Sequence, residues 1–388
     1  MTFRPDKLGV VIAALALCGV LLAPFSLFRA NRIVQGEAKS LLDSLPAWAG
    51  LLLLAAIVAT SLVALTRSPA VVRLAAAAVC LVALLLGIGL AALHLTPPDN
   101  TYARISPASG FWLLCFAFAL LAADAITRLK PKPLARILFL AAALLVIAFV
   151  LLSGSWDGLS LLKEYANRAE TFWLEARRHV MLALGSLFAA VVAGLPLGIL
   201  CHRTPSLRGA VLNSLNIVQT IPSIALFGIL IAPLGWIALN VPGAAAIGIR
   251  GIGMAPAFVA LFLYSLLPVV ANTVVGLGGV PRDVNEAARG LGMTDSQRLW
   301  RVEFPLALPV ILTGVRIVLV QNIGLATIAA LIGGGGFGVF VFQGIGQTAM
   351  DLVLLGAAPT VLLAFVAAIV LDALIDMNAQ ASNRKTTA

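Results

Sequence analysis

The chain has 388 residues, of which 61% are hydrophobic and 11% charged, and its formal net charge is +10. A soluble domain carries roughly 25% charged residues, so this composition excludes one and points to an all-α polytopic membrane protein. In such a chain an excess of Lys and Arg reports which loops stay inside, so the positive balance is no argument for nucleic-acid binding.

About ten apolar stretches are long enough to cross a ~30 Å hydrocarbon core as helices. They are residues 8–28, 47–66, 73–95, 109–128, 136–153, 179–201, 211–239, 255–275, 306–332 and 351–375. The first is long enough to stay as an anchor, and no small-x-small cleavage site precedes Arg29. Residues 1–153 form a five-span extension with almost no polar group inside its spans and no readable motif. Residues 154–178 hold Trp156, Tyr165 and Trp173 among charged residues, the pattern of an interfacial linker, here on the periplasmic side. Residues 179–376 carry Pro, Gly, Asn and Gln inside their spans. Polar groups are costly there and tend to face a bundle interior or a pathway, so this is the working half. Residues 377–388 form a tail.

Several residue types that invite a functional reading do not support one. Cys18, Cys80, Cys115 and Cys201 follow no spacing motif, so neither a disulfide nor a metal site is expected. His94, His179 and His202 stand singly at span ends and read as interfacial residues. Asp124, Asp351 and Asp372 lie near span ends, and no carboxylate sits mid-span, as a proton-coupled carrier would need. No catalytic arrangement is present.

Within the working half, Ala190, Gly194 and Gly198 give span 179–201 a small-residue face for close helix packing. In span 211–239, Gln219-Thr220-Ile221-Pro222-Ser223 interrupts the helix. Pro222 removes a backbone bond, and Thr220 or Ser223 can satisfy the freed carbonyl. Such a break near mid-membrane is where transporters place substrate contacts, though a structural kink reads equally well. In span 255–275, Asn272 reads as a helix-end hydrogen bond.

The polar run 280–305, VPRDVNEAARGLGMTDSQRLWRVEFP, comes next. Asp283 with Glu286, and Thr294 with Gln297, both have capping-box spacing, so two short helices are expected. Gly290 or Gly292 supplies a residue free to take positive φ between them. Pro305 ends the second helix. The expected product is a glycine elbow held between two spans. Span 306–332 then carries Arg316, within snorkelling reach of the inner face, and the deeper Gln321 and Asn322. Either these two face a pore or partner chain, or they hold the bundle together. Gly333–Gly338, GGGGFG, lacks the Gly-Lys-Ser/Thr ending of a phosphate loop and reads as a flexible hinge before an outer helix.

Glu286-Ala287-Ala288, Gly292 six positions after the Glu, then Val302 and Pro305, resembles the EAA loop of ABC importer permeases. Val302 and Phe304 replace that family's Ile and Leu and stay apolar. The resemblance covers about 179–376 and implies a C-terminal five-helix type I importer permease core. It implies that 280–305 is a coupling loop, with Asp283, Glu286, Ala287, Ala288, Gly292 and Pro305 engaging a cytoplasmic ATPase subunit. The partners so implied are an ABC ATPase dimer that binds ATP-Mg, a second permease chain (homologous or identical), a periplasmic substrate-binding protein and membrane lipid. The chain itself has no Walker motif and is expected to bind no cofactor and to be no enzyme.

The stretches NIVQTIPSIALF and LYSLLPVVANTVVGL resemble spans of glycine betaine and choline importer permeases, as does the five-span extension. The implied cargo is a quaternary-ammonium osmoprotectant, with an amino acid or methionine as the alternative. Pathway candidates are Gln219, Thr220, Pro222, Ser223, Gln321 and Asn322. A self-sufficient secondary transporter, the other class, would need internal repeats and a buried ion-coupling site. Lys and Arg placement puts both termini on the cytoplasmic side, and the resemblance implies that the membrane spanned is a bacterial inner membrane. Arg4, Lys7, Arg67, Arg73 and the basic residues of 280–305 then fall inside, with Arg32, Arg104 and Arg250 outside.

Overall fold

A computed structural model describes residues 5–31, 34–97, 100 and 102–386, with side chains as far as residue 379. Arg4, Arg32 and residues 387–388 of the expected tail lie outside the described residues. The chain separates into two compact units, Met1–Asn167 and Arg168–Ala388.

The first unit opens with α1 (Lys7–Leu21), started by Asp6, whose carboxylate accepts from the Gly9 amide at 3.0 Å. The expected span 8–28 is corrected: α1 ends at Leu21, and beyond Pro24 the chain turns into β1 (Ser26–Arg29). β1 pairs antiparallel with β2 (Glu37–Lys39) on one side and β3 (Arg104–Pro107) on the other, with Phe28 opposite Glu37 and Ile105. This small sheet joins segments far apart in the chain, so local pattern gives no sign of it. After α2 (Leu41–Ser44), the helices α3 (Ala47–Leu65), α4 (Ala70–Leu95), α5 (Ser109–Leu129) and α6 (Pro133–Leu152) follow the apolar stretches closely. α6 starts on a proline whose φ is already helical. At the end of the unit opposite the sheet, Arg73 is fully buried among Asp6, Asp124 and Arg128. The expectation of a unit almost free of buried polar groups is therefore corrected there.

The stretch 154–178 is not one linker. Trp156 Nε1 donates to the Leu85 carbonyl at 2.8 Å, and α7 (Ser160–Asn167) closes the first unit. The rest of the stretch opens α8 (Ala169–Arg203) of the second unit. That unit continues with α9 (Pro205–Thr220), α10 (Ser223–Asn240), α11 (Met254–Gly278), α12 (Arg282–Gly290), α13 (Asp295–Arg298), α14 (Phe304–Ile328), α15 (Gly338–Gly346) and α16 (Met350–Thr386). Residues 377–386 thus prolong α16 instead of forming a separate tail. Among the described residues nine helical segments are long and apolar enough to cross a membrane, and α1 is a shorter apolar helix.

The core of the second unit is built on close helix contact. α8 lays its small-residue face on α11: a Cβ on Gly194 would meet Val269 at 2.8 Å, and one on Gly198 would meet Thr273 at 2.6 Å.

The Gly333–Gly338 stretch is not a flexible hinge. Gly334 to Gly338 are buried, and Gly335 and Gly336 adopt φ of +77° and +88°. The Gly336 amide donates to Glu175 Oε2 at 2.6 Å, and the Phe337 amide donates to His179 Nδ1 at 3.3 Å. A Cβ on Gly335 would meet Glu175 and Arg178 atoms at 2.6 Å. His179 is consequently a fully buried residue, not the interfacial one expected. Its acceptor role is set by a loop 158 positions away, which no local pattern announces.

Candidate functional site

The polar run between α11 and α14 folds as the elbow the sequence implies, with two changes. α12 begins at Arg282 with Pro281 at its N-cap, so Asp283 stands in the first turn and forms no capping box with Glu286. An acidic side chain there still complements the helix N-terminus. At the other end the Met293 amide donates to the Ala288 carbonyl (3.2 Å) and the Gly292 amide to the Arg289 carbonyl (3.0 Å). These are the paired bonds of a Schellman motif, which needs a left-handed residue at the position Gly292 fills with φ +76°. Thr294 and Gln297 then form both halves of a capping box at the start of α13.

The second change concerns Pro305. Helical backbone does not stop there: a widened π turn, Leu299–Glu303, carries α13 into α14, with Pro305 in the first turn of α14. The missing proline N–H and the ring are tolerated at such a start.

The elbow is held by charges that the sequence reading missed. Glu303, buried, receives Arg298 Nε at 3.0 Å and Arg203 Nη2 at 3.3 Å. Arg203 also donates to the Asp295 carbonyl at 3.3 Å, and Arg298 pairs with Asp295 at 2.9 Å. Arg203 ends α8, so the elbow is braced against a helix outside its own hairpin. Arg298 and Glu303, five positions apart within one polar run, were a readable hint; Arg203 was not. On the free side, Asp283, Glu286, Ala287 and Gly292 are exposed while Ala288 is buried. Leu291 is 80% exposed and Trp300 57%. A rigid, braced knob with an apolar tip can take up force from a partner surface and pass it to α11 and α14.

The helix break lies elsewhere in the unit. α9 ends at Thr220, Ile221 is extended, and Pro222 precedes α10. Expected span 211–239 is therefore two helices, the first starting six residues earlier. Gln219 Nε2 donates to the Tyr264 carbonyl at 2.8 Å and the Tyr264 hydroxyl to the Ile221 carbonyl, so α11 satisfies the break. Thr220 Oγ1 donates back to Ile217, and Ser223 is half-buried at the start of α10. The break and the elbow are not brought together: Gln219 stands 14 residues up α9 from Pro205, about 21 Å at 1.5 Å per residue.

Asn322 and Gln321 separate. Asn322 is fully buried, and its Nδ2 donates to Ser186 Oγ and Ser265 Oγ, each at 2.9 Å. It ties α8, α11 and α14 together and offers no surface to a pathway within this chain. Gln321, one position earlier, is half-buried. Interhelical hydrogen bonds in membranes contribute about 0.6–2 kcal/mol. Asn322→Leu should therefore lower thermal stability in detergent by roughly that amount while the inserted protein keeps its transport selectivity. A changed selectivity would return Asn322 to the pathway.

Residues 190–384 match the family described as binding-protein-dependent transport system inner membrane component, and residues 6–162 match the ABC transporter permease YehY N-terminal domain. The osmoprotectant import permease protein OsmW of Salmonella typhimurium is 44% identical, covering 49% of this chain and 83% of its own length. OsmY, the osmoprotectant import permease protein of the same organism, is 40% identical over 57% of this chain and 87% of its own. The carnitine transport permease protein OpuCB of Listeria monocytogenes is 36% identical over 52% and 85%. A solved structure of the MetNI methionine ABC transporter aligns with 54% of this chain and 95% of that one, at 23% identity and a TM-score of 0.47.

Proposed function

The chain belongs to the binding-protein-dependent transport system inner membrane components, and we propose that it is the permease subunit of an ATP-driven importer for a small osmoprotectant, glycine betaine or a related quaternary ammonium compound. The observation that carries this reading is the elbow: a capped, ion-braced and exposed knob joining two spans, with an apolar residue at its tip. Separate ATPase subunits binding ATP-Mg would close on it and draw it with them, tilting α11 and α14. The bias of Lys and Arg supports putting the elbow and both termini on the cytoplasmic side.

The pathway would run between this chain and a second permease, homologous or identical, fed by a periplasmic binding protein. Recognition of a methylated ammonium by an aromatic cage then falls to that binding protein. The names of OsmW, OsmY and OpuCB support an osmoprotectant cargo. The test is uptake of labelled glycine betaine into proteoliposomes holding this chain, its ATPase and its binding protein. ATP-dependent uptake is expected, and none from the chain alone under an ion gradient. Gradient-driven uptake by the chain alone would overturn the proposal. ATP-driven uptake of methionine in place of glycine betaine would overturn the cargo.

A further inference from the structure

α9 carries a feature that, Thr220 at its end apart, neither the elbow nor the break uses. Taken at 100° per residue, Ser206, Gly209, Asn213, Asn216 and Thr220 fall in one narrow stripe, with spacings of three and four. All five are exposed, and no apolar residue lies among them. The opposite side of the helix is the packed one: Val211, Leu212 and Leu215 join one apolar cluster and Val218 another. Thr220 satisfies its hydroxyl on Ile217, whereas no side-chain hydrogen bond among the described residues engages Asn213 or Asn216.

The depth of the stripe follows from two independent counts. Gln219 is 14 residues above the start of α9, and Tyr264 is 14 residues above the last residue of α11. Both rises are about 21 Å, and the two residues are hydrogen-bonded at 2.8 Å. The stripe therefore climbs from the level of the elbow, where Arg203 meets Asp295, to about the middle of a ~30 Å bilayer. Free carboxamides over that depth cannot face hydrocarbon without a heavy penalty, and the face must meet water or another polar group.

We propose that the stripe from Ser206 to Thr220 lines a water-filled half-channel, open on the elbow side and closed at the Ile221–Pro222 break. Asn213 and Asn216 contact the solute as it leaves. The stripe carries no charge, and its carboxamide N–H groups donate to a carboxylate or hydroxyl without trapping an ion. Its ligand class is thus a small polar solute without net charge, which includes a zwitterion. This inference rests on the permease reading, and it deepens that reading by naming a surface.

The experiment uses the full chain with its four cysteines replaced by serine, and single cysteines placed by Asn213→Cys, Asn216→Cys and Thr220→Cys. Phe365→Cys on α16, 59% exposed among apolar neighbours, is the lipid-facing control. Inside-out vesicles receive a membrane-impermeant, trimethylammonium-bearing thiosulfonate. The three stripe positions are expected to react several-fold faster than the control, and free glycine betaine to slow them. Reactivity no greater than the control at all three would overturn the half-channel. ATP-driven uptake by the unmodified complex is measured alongside. If it persists while the stripe proves inaccessible, the permease reading stands and only this inference falls.

Discussion

Gly292→Pro is expected to abolish ATP-driven uptake while the chain still inserts in the membrane in normal amount. The reason is local and geometric. Gly292 sits at φ +76° and its amide donates to the Arg289 carbonyl. Proline locks φ near −65° and has no N–H, so the Schellman turn cannot form and α12 must leave α13 at a different angle. No atom lies within 4 Å of a Cβ built on Gly292, so crowding plays no part. Gly292→Ala therefore meets only the left-handed strain of about 1–2 kcal/mol, and a partial loss of uptake is expected. Leu291→Asp separates docking from backbone shape. It leaves the turn intact and puts a charge on the exposed tip, and it should also depress uptake strongly. Transport at the unmodified rate by Gly292→Pro would remove the elbow from the mechanism.

The elbow was legible because its determinants are neighbours in the chain. The Thr294–Gln297 box and the left-handed glycine are read within a few residues. Asp283 was misplaced by two positions, because α12 starts at Arg282 with Pro281 at its N-cap, two residues before the box would allow. What could not be read is long-range. Glu303 needs Arg203 from the end of α8, and the buried glycine loop needs Glu175 and His179. A run of four glycines with no visible partner looks mobile; the same run with side-chain acceptors for the Gly336 amide and the Phe337 amide that follows is fixed. The α9 stripe lies between these cases. Its period is plain once the helix starts at Pro205, but a span begun at residue 211 cuts off Ser206 and Gly209.

In the first unit the largest expected loss of stability comes from Arg73→Met. Arg73 has no exposed surface, yet it ties its own α4 to three other helices. Its Nη1 donates to the Ala64 and Thr66 carbonyls at the end of α3, each at 3.2 Å, where a cation also suits the helix dipole. Its Nη2 pairs with Asp124 of α5 at 3.0 Å, and Nη1 lies 3.6 Å from Asp6 at the head of α1. Arg128 reaches the same two carboxylates at 2.8 and 2.9 Å. Two arginines thus neutralise two aspartates, and removing Arg73 leaves one half-buried negative charge unmatched. Breaking a buried pair from one side costs about 3–5 kcal/mol, enough to unfold a marginal unit.

The double variant Arg73→Met with Asp124→Asn restores neutrality and should recover part of that loss, a non-additivity that contacting residues show. Arg73→Lys keeps the charge without the fork and should fall between. Acid weakens the same cluster. The Arg128 guanidinium beside Asp6 holds its carboxyl below the ordinary 3.8. The stability it contributes is fully present above that value and is lost as pH falls through the lower, folded one. Thermal unfolding of the purified chain in detergent measures all four effects. An Arg73→Met chain that melts like the unmodified one would show that the cluster ornaments the end of this helix bundle and does not clamp it.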